Sequence, residues 1–373
     1  MTSSPTWSPG RRLAALALAG GLALAAAACS GDDDGADPAT TGESVAGTAA
    51  GPAPTDGPAT TAAPATTGAP VTTPAPPTTA AEVARMPLTG VPLASGEEAP
   101  VRPAMVVKID NAPDARPQTG FTAADIVYEE IVNDSLTRFA MVFHSQDSDP
   151  VGPIRSGRIQ DVDLFGSYHG PLFVWSGGNA TVTRAIDDSD FVALDQGTPG
   201  MFRERSRRGP HNLYGSTSTF YENATPEEAA PPPAQFTYRD DGEAPLGVPS
   251  AGIDVQLDSI AAHWTWDAAA GGYVRETNGR PHLDAATGEQ ILAENVVVLE
   301  MEYASGISGS PDAQALGEGT AYVMTGGNLV VGTWTRADRL DPFTLTDENG
   351  APIELTPGHT FIELPRPGNS RSF

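Results

Sequence analysis

The chain has 373 residues, with 21 basic against 47 acidic side chains and a formal net charge of −26. This acidity argues against a nucleic-acid-binding protein, because binding to a phosphate backbone needs a basic surface. A single cysteine, Cys29, excludes a disulfide framework and any metal site built from several cysteines.

The amino-terminal segment resembles the leader of a bacterial lipoprotein. Arg11 and Arg12 precede an apolar run, residues 13–28, that is too short to span a bilayer comfortably. Cleavage after the small residues 26–28 would leave Cys29 as the new amino terminus, as in a lipobox. We therefore predict a signal peptide over residues 1–29, a lipid (palmitate) on Cys29, and a location on the outer face of the cytoplasmic membrane. An ordinary signal peptide and an uncleaved anchor are the alternatives.

Residues 30–85 consist mainly of Ala, Thr, Pro and Gly, and they contain no aromatic residue. Such a segment buries too little apolar surface to offset the entropy of an ordered chain. We predict a disordered tether, which as a flexible coil would reach about 40 Å.

Residues 86–225 alternate between strand-like and helix-like patterns, which predicts an α/β-type domain with a mixed sheet and helices. Asn179 is expected to cap the second helix. The predicted strands are 102–109, 125–132, 138–144 and 172–175, and the predicted helices are 159–168 and 179–187.

The second half of the chain has a different pattern. We predict a proline-rich linker over residues 226–234 and a mostly β domain over residues 235–367. A short tail is predicted over residues 368–373. Gly326-Gly327-Asn328 and Asn349-Gly350 are hairpin signals. The predicted strands are 296–303, 320–325, 329–336, 343–346, 352–355 and 360–364. The fold class is therefore α+β overall.

Several motifs together resemble the YerB-like family of bacterial lipoproteins. They are Pro87-Leu88-Thr89-Gly90, Lys108-Ile109-Asp110-Asn111, residues 115–120, residues 124–129, Thr137-Arg138-Phe139, residues 152–158, Pro210-His211-Asn212-Leu213-Tyr214, Gly332-Thr333-Trp334, Asn349-Gly350 and Pro357-Gly358. The resemblance covers most of residues 86–365. It implies a lipid anchor and two extracytoplasmic domains, and it implies no established activity.

A basic cluster stands out because residues 101–373 carry 18 basic and 38 acidic side chains, a net charge of −20. Its members fall at predicted strand ends or in loops, where a sheet presents functional groups, and arginine binds carboxylate or phosphate with two parallel hydrogen bonds. If the loops converge, they form a cleft for an anion. Alternatively, the arginines pair with Asp110, Asp161, Asp163 and Glu204 and fix the loops. The candidate ligand-binding residues are Asp110, Asn111, Arg116, Arg155, Ser156, Arg158, Arg203, Arg207, His211 and Asn212.

Three functions remain open on this evidence. The first is a non-catalytic module that binds an anionic cell-envelope ligand, such as a cell-wall polymer, or a protein partner. The second is a hydrolase or transferase acting on the cell wall, with His211 and Asp110 as acid–base pair and Ser156 as nucleophile. The third is a structural scaffold. The six histidines lack ligand spacing and no cofactor-binding motif occurs, so we predict neither a metal nor a cofactor.

Overall fold

The computed structural model describes residues 83–225 and 230–373. The predicted signal peptide, the lipidation site Cys29 and nearly all of the tether lie outside the described residues. Within the described residues, no helix has the length and apolarity needed to cross a membrane.

The secondary structure of the described residues is dominated by strands. In residues 83–225 the strands are β1 (Met105–Asp110), β2 (Ile126–Ile131), β3 (Thr137–Phe143), β4 (Leu172–Val174), β5 (Val192–Leu194), β6 (Phe202–Arg203) and β7 (Leu213–Tyr214). In residues 230–373 they are β8 (Val248–Pro249), β9 (Gly252–Leu257), β10 (Ile260–Asp267), β11 (Gly272–Thr277), β12 (Arg280–Pro281), β13 (Leu292–Ala293), β14 (Asn295–Leu299), β15 (Tyr303–Ser305), β16 (Pro311–Ala313), β17 (Gly317–Thr325), β18 (Asn328–Arg336), β19 (Thr344–Asp347), β20 (Thr360–Leu364) and β21 (Ser370–Ser372). The helices are α1 (Asp161–Leu164), α2 (Ala180–Asp187) and α3 (Thr217–Tyr221).

Both halves of the chain contribute to one large mixed sheet. Its strand order is β19-β18-β17-β14-β20-β2-β3-β1-β4-β5. The halves meet where β20 pairs in parallel with β2, with Glu363 opposite Glu129. A second sheet, in the order β12-β11-β10-β9-β21, is formed by residues of the second half.

The apolar core lies on both faces of the large sheet, as the alternation of side chains along β1 illustrates. Met105 and Val107 pack in the core shared with β9 and β10 of the second sheet. Val106, between them, faces the opposite core, where it packs with residues of α1 and α2. Because both faces are covered, all six residues of β1 are buried.

The mixed-sheet fold of the first half and the mainly β fold of the second half are confirmed. The Asn179 side chain accepts hydrogen bonds from the amides of Thr181 and Val182, and it caps α2 as predicted. The predicted helix over residues 159–168 is shorter, because α1 ends at Leu164 and a 3₁₀ turn follows. At Gly166 the carbonyl of Arg339 approaches so closely that a Cβ atom would lie 2.6 Å from it.

Candidate functional site: a cavity lined with arginines

Asp110 and Arg138 lie at the same end of the large sheet because they are paired residues of β1 and β3. The chain then returns along the end of β1, where the amide of Arg155 donates to the carbonyl of Lys108 over 2.8 Å. His211 precedes β7, which is held beside this segment by a bond from the Ile154 amide to the Leu213 carbonyl. Four chain segments thus bring the four side chains together.

Asp110 is the acidic centre of this group. Its Oδ2 atom lies 2.7 Å from His211 Nδ1 and 3.0 Å from Arg155 Nε. The second contact is an ion pair without hydrogen-bond alignment, because Arg155 Nε has no hydrogen-bond acceptor among the described residues. The carboxylate is nearly buried, whereas 29% of the Arg155 side chain and 18% of the His211 side chain are exposed.

Two more arginines surround the pair. Arg138 donates to the carbonyl of Ser156, and Arg158 donates to Asn133 Oδ1 over 2.5 Å. Burial, and then repulsion from Arg158 and Arg155, lowers the pKa of Arg138 to about 9, so the group stays charged at neutral pH. The guanidinium groups are therefore close enough to repel one another.

These side chains line a cavity of about 290 Å³. Its lining includes three arginines and one histidine, against two carboxylates. We call it the arginine cavity, and its charged or titratable residues are Asp110, Asp134, Arg138, Arg155, Arg158 and His211. In an acidic protein this cavity is a local concentration of cations.

Ser156 lies close in sequence but does not contact the acid–base pair. Its hydroxyl is 3.3 Å from the hydroxyl of Ser176. Within the described part of the chain, the His211 ring is hydrogen-bonded to Asp110. The structure thus assembles two members of the hypothetical triad and leaves the serine outside it.

Asn111 and Arg116 do not line this cavity: Asn111 is fully buried, and the half-buried Arg116 lines a different cavity beside His282. The Asn111 amide donates to Glu129 Oε1 over 2.8 Å and to Thr137 Oγ1 over 2.7 Å. Arg116 in turn donates through Nε to Asn111 Oδ1 over 2.8 Å. Burial lowers the pKa of Arg116. Both side chains contribute to a buried polar network around Glu129.

Arg203, Arg207 and Asn212 hold the loop that carries His211. Arg203 donates to Asn212 Oδ1 over 2.9 Å, and Arg207 donates to the carbonyls of Ala115 and Pro117. Both terminal nitrogens of each arginine bind amide or carbonyl oxygens within the protein. They fix the position of the loop.

Reasoning from single residues missed Arg138, Asn133 and Asp134 as parts of the site. Arg138 stands within a predicted strand, where a charged side chain gives no indication of the partner it faces. The register of β1 against β3 places it opposite Asp110. A predicted pairing of these two strands would have found it.

Comparison with known proteins agrees with this architecture. The family model described as "Protein of unknown function (DUF3048) N-terminal domain" matches residues 88–230, and that described as "Protein of unknown function (DUF3048) C-terminal domain" matches residues 253–362. The fold and these matches define a class of protein with two successive domains of unknown function.

Two further comparisons identify a relative of this class. "Putative lipoprotein YerB" of Bacillus subtilis (strain 168) is 26% identical over 296 residues, which cover 76% of this chain and 87% of that protein. A crystal structure of the YerB protein from Bacillus subtilis matches with a TM-score of 0.68 at 22% identity, over 78% of this chain and 99% of that chain. The chain belongs to the YerB-like family, and it has the fold of that relative.

Proposed function

We propose that this protein is a lipid-anchored extracytoplasmic binding module whose arginine cavity holds an anionic group of a cell-envelope ligand. The anchor would be the lipid on Cys29, and the name of the Bacillus subtilis relative agrees with it. The ligand would be a cell-wall polymer or the acidic side chain of an envelope protein, reached from the outer face of the cytoplasmic membrane.

The observation that carries this proposal is the number of unused donors in the arginine cavity. Arg155 contacts Asp110 through Nε, and its two terminal nitrogens have no acceptor among residues 83–225 and 230–373. Arg158 Nε is also buried without an acceptor in that part of the chain. A phosphate or carboxylate would accept bonds from these nitrogens and reduce the repulsion between the guanidinium groups.

The experiment is calorimetry of the purified full-length chain against soluble peptidoglycan and wall-polymer fragments. Arg155→Ala should weaken binding at least tenfold, because a hydrogen bond to a charged group is worth about 1.5–3 kcal/mol. His211→Ala should weaken it as well. Arg371→Ala is the matched control, since Arg371 is exposed on β21 of the other sheet.

The outcomes separate binding from a scaffold role. Saturable binding that both variants lose, with unchanged melting temperatures, supports the proposal. A parent chain that binds no fragment and no envelope protein overturns it. Lower melting temperatures in both variants, without any binding, would favour the scaffold.

A second candidate rests on the 2.7 Å contact between His211 Nδ1 and Asp110 Oδ2. With its Nδ1 proton donated to Asp110, the imidazole could accept or deliver a proton at Nε2, and the arginines would hold an anionic substrate. Hydrolysis or transfer of wall fragments by the parent chain, lost in a folded His211→Ala variant, would favour this hydrolase or transferase. Binding without turnover would exclude it.

A further inference from the structure

A second, smaller cavity adjoins the arginine cavity. It has a volume of about 120 Å³, and the two cavities share Asn133 and Arg158 in their linings. Ile307, Ser308 and Ser310 of the second half of the chain also line the smaller cavity. The two cavities are therefore neighbours, with the side chains of Asn133 and Arg158 between them, and the second half of the chain contributes to the smaller one.

The hydrogen-bonded pair of Arg158 and Asn133 stands where the two linings overlap. Arg158 Nη2 donates to Asn133 Oδ1 over 2.5 Å, and Nη1 donates to the carbonyl of Gly157 over 2.9 Å. Its Nε atom is buried and has no acceptor among the described residues. One donor of the shared arginine is thus unused between the two cavities.

The smaller cavity differs from the arginine cavity in its chemistry. Among the described residues that line it, Arg158 is the one charged residue. Ile159, Val182 and Ile307 supply apolar surface, and Ser308 and Ser310 are the hydroxyl-bearing residues of the lining. The Ser310 hydroxyl also donates to the carbonyl of Pro311 over 3.4 Å. An uncharged group with one apolar and one polar side suits this lining better than a second anion.

We propose that the two cavities together bind one ligand, with its anionic group in the arginine cavity and an adjacent small N-acyl group in the smaller cavity. The acyl methyl would contact the three apolar side chains, and the amide would bond to the serine hydroxyls. An N-acylated amino sugar that carries a phosphate has this pattern. The inference rests on the proposed anion-binding function and specifies the class of ligand.

The test compares three probes by calorimetry on the purified full-length chain. They are inorganic phosphate, glucose 1-phosphate and N-acetylglucosamine 1-phosphate, of which the last two differ at the acetamido group. We expect N-acetylglucosamine 1-phosphate to bind at least tenfold more tightly than glucose 1-phosphate. Equal affinities for the two sugar phosphates overturn the inference and leave the anion site intact.

Variants of the smaller cavity make the test specific. Val182→Phe should fill it and abolish the preference for the acetamido group, while the affinity for inorganic phosphate stays unchanged and reports on folding. Ile307→Ala, at a half-exposed position, should reduce the preference without filling the cavity. A full preference retained by both folded variants contradicts the inference.

Arg155→Ala separates the two proposals. The substitution should weaken the binding of all three probes, because Arg155 lines the arginine cavity, which holds the anionic group that the probes share. If the parent chain binds none of the three probes, the anion site fails and the N-acyl inference fails with it.

Discussion

The arginine cavity and the buried network around Arg275 both combine arginine with acidic side chains, but they differ in their balance of charge and in their access to solvent. In the buried network one guanidinium lies between two carboxylates, Glu129 and Glu363, and all three side chains are inaccessible to solvent. In the arginine cavity three guanidinium groups surround Asp110, and Arg155 remains partly exposed. Basic side chains outnumber acidic ones in the arginine cavity, whereas acidic side chains outnumber the one arginine between Glu129 and Glu363. The arginine cavity is accessible to solvent and the buried network is not.

The hydrogen-bond partners of the acidic and basic side chains explain why the two regions differ. Glu363 Oε1 accepts a 2.9 Å bond from the indole of Trp264, and Glu129 accepts bonds from Asn111 and Thr137. The Arg275 guanidinium lies over the rings of Phe139, Trp264 and Phe361 at 5.1–5.5 Å. A network with this many internal partners stabilises the junction of the two halves, whereas unused donors near solvent are available to a ligand.

The largest expected effect comes from removing the cation of the buried network. Arg275→Met leaves the buried Glu129 and Glu363 facing each other without a cation, and we expect the free energy of unfolding to fall by about 3–5 kcal/mol. Urea denaturation measures this loss. The matched control Arg371→Met, at an exposed position, should change it by less than about 0.5 kcal/mol. An equally small loss for Arg275→Met would show that the network contributes nothing to stability.

A pH series should produce the next largest effect. Burial, and then repulsion from Glu129, raises the pKa of Glu363 from 4.5 to about 8. Between these values the folded chain holds a proton that the unfolded chain releases, so this contribution to stability is lost as the pH rises. Its slope is at most about 1.4 kcal/mol per pH unit.

Glu363→Gln isolates that contribution, because glutamine keeps the shape and does not titrate. The free energy of unfolding of the variant relative to the parent should rise from pH 5 to pH 8, as measured by urea denaturation at each pH. Neighbouring Arg275 and His282 remain in both proteins, so their effects largely cancel. A difference that is flat with pH would mean that Glu363 is ionised throughout.

The smallest effect is expected at Ser156, which is close in sequence to Arg155 and Arg158 but does not line the arginine cavity. Because its hydroxyl contacts Ser176 rather than His211, Ser156→Ala should change the free energy of anion binding by less than about 0.5 kcal/mol. Calorimetry with inorganic phosphate, with Arg155→Ala as the contrasting variant, measures this. If the parent chain shows turnover that Ser156→Ala abolishes, a nucleophilic role for the serine would replace our interpretation.

Much of the fold could be predicted because its signals are local. The strand over residues 360–364 has the predicted bounds, and Asn179 caps its helix as expected. The sequence does not predict that β9, β10 and β11 form a second sheet. On β10, Trp264 is fully buried whereas the neighbouring His263 side chain is 38% exposed. The alternation along β10 is a local signal that indicates its buried face, whereas tertiary structure decides that β10 pairs with β9 and β11.

The candidate site was predicted only in part, for a related reason. Residue type and loop position predict Asp110, Arg155, Arg158 and His211 as site residues, and they line one cavity. The same signals predict Asn111, yet it faces the buried Glu129. Residue type and spacing do not indicate which way a side chain points once its strand has ended.

The sequence by itself determined the acidity of the chain, the order of most of its strands and helices, and its membership of the YerB-like family. These properties follow from composition, periodicity, capping residues and motifs, all of which act over short stretches of chain. Only the tertiary structure decided that His211 contacts Asp110, which lies 101 residues earlier. It also paired Glu363 with Glu129 across the junction of the halves. Such contacts depend on the register of distant strands, which is set by the burial of the whole sheet and not by any one segment.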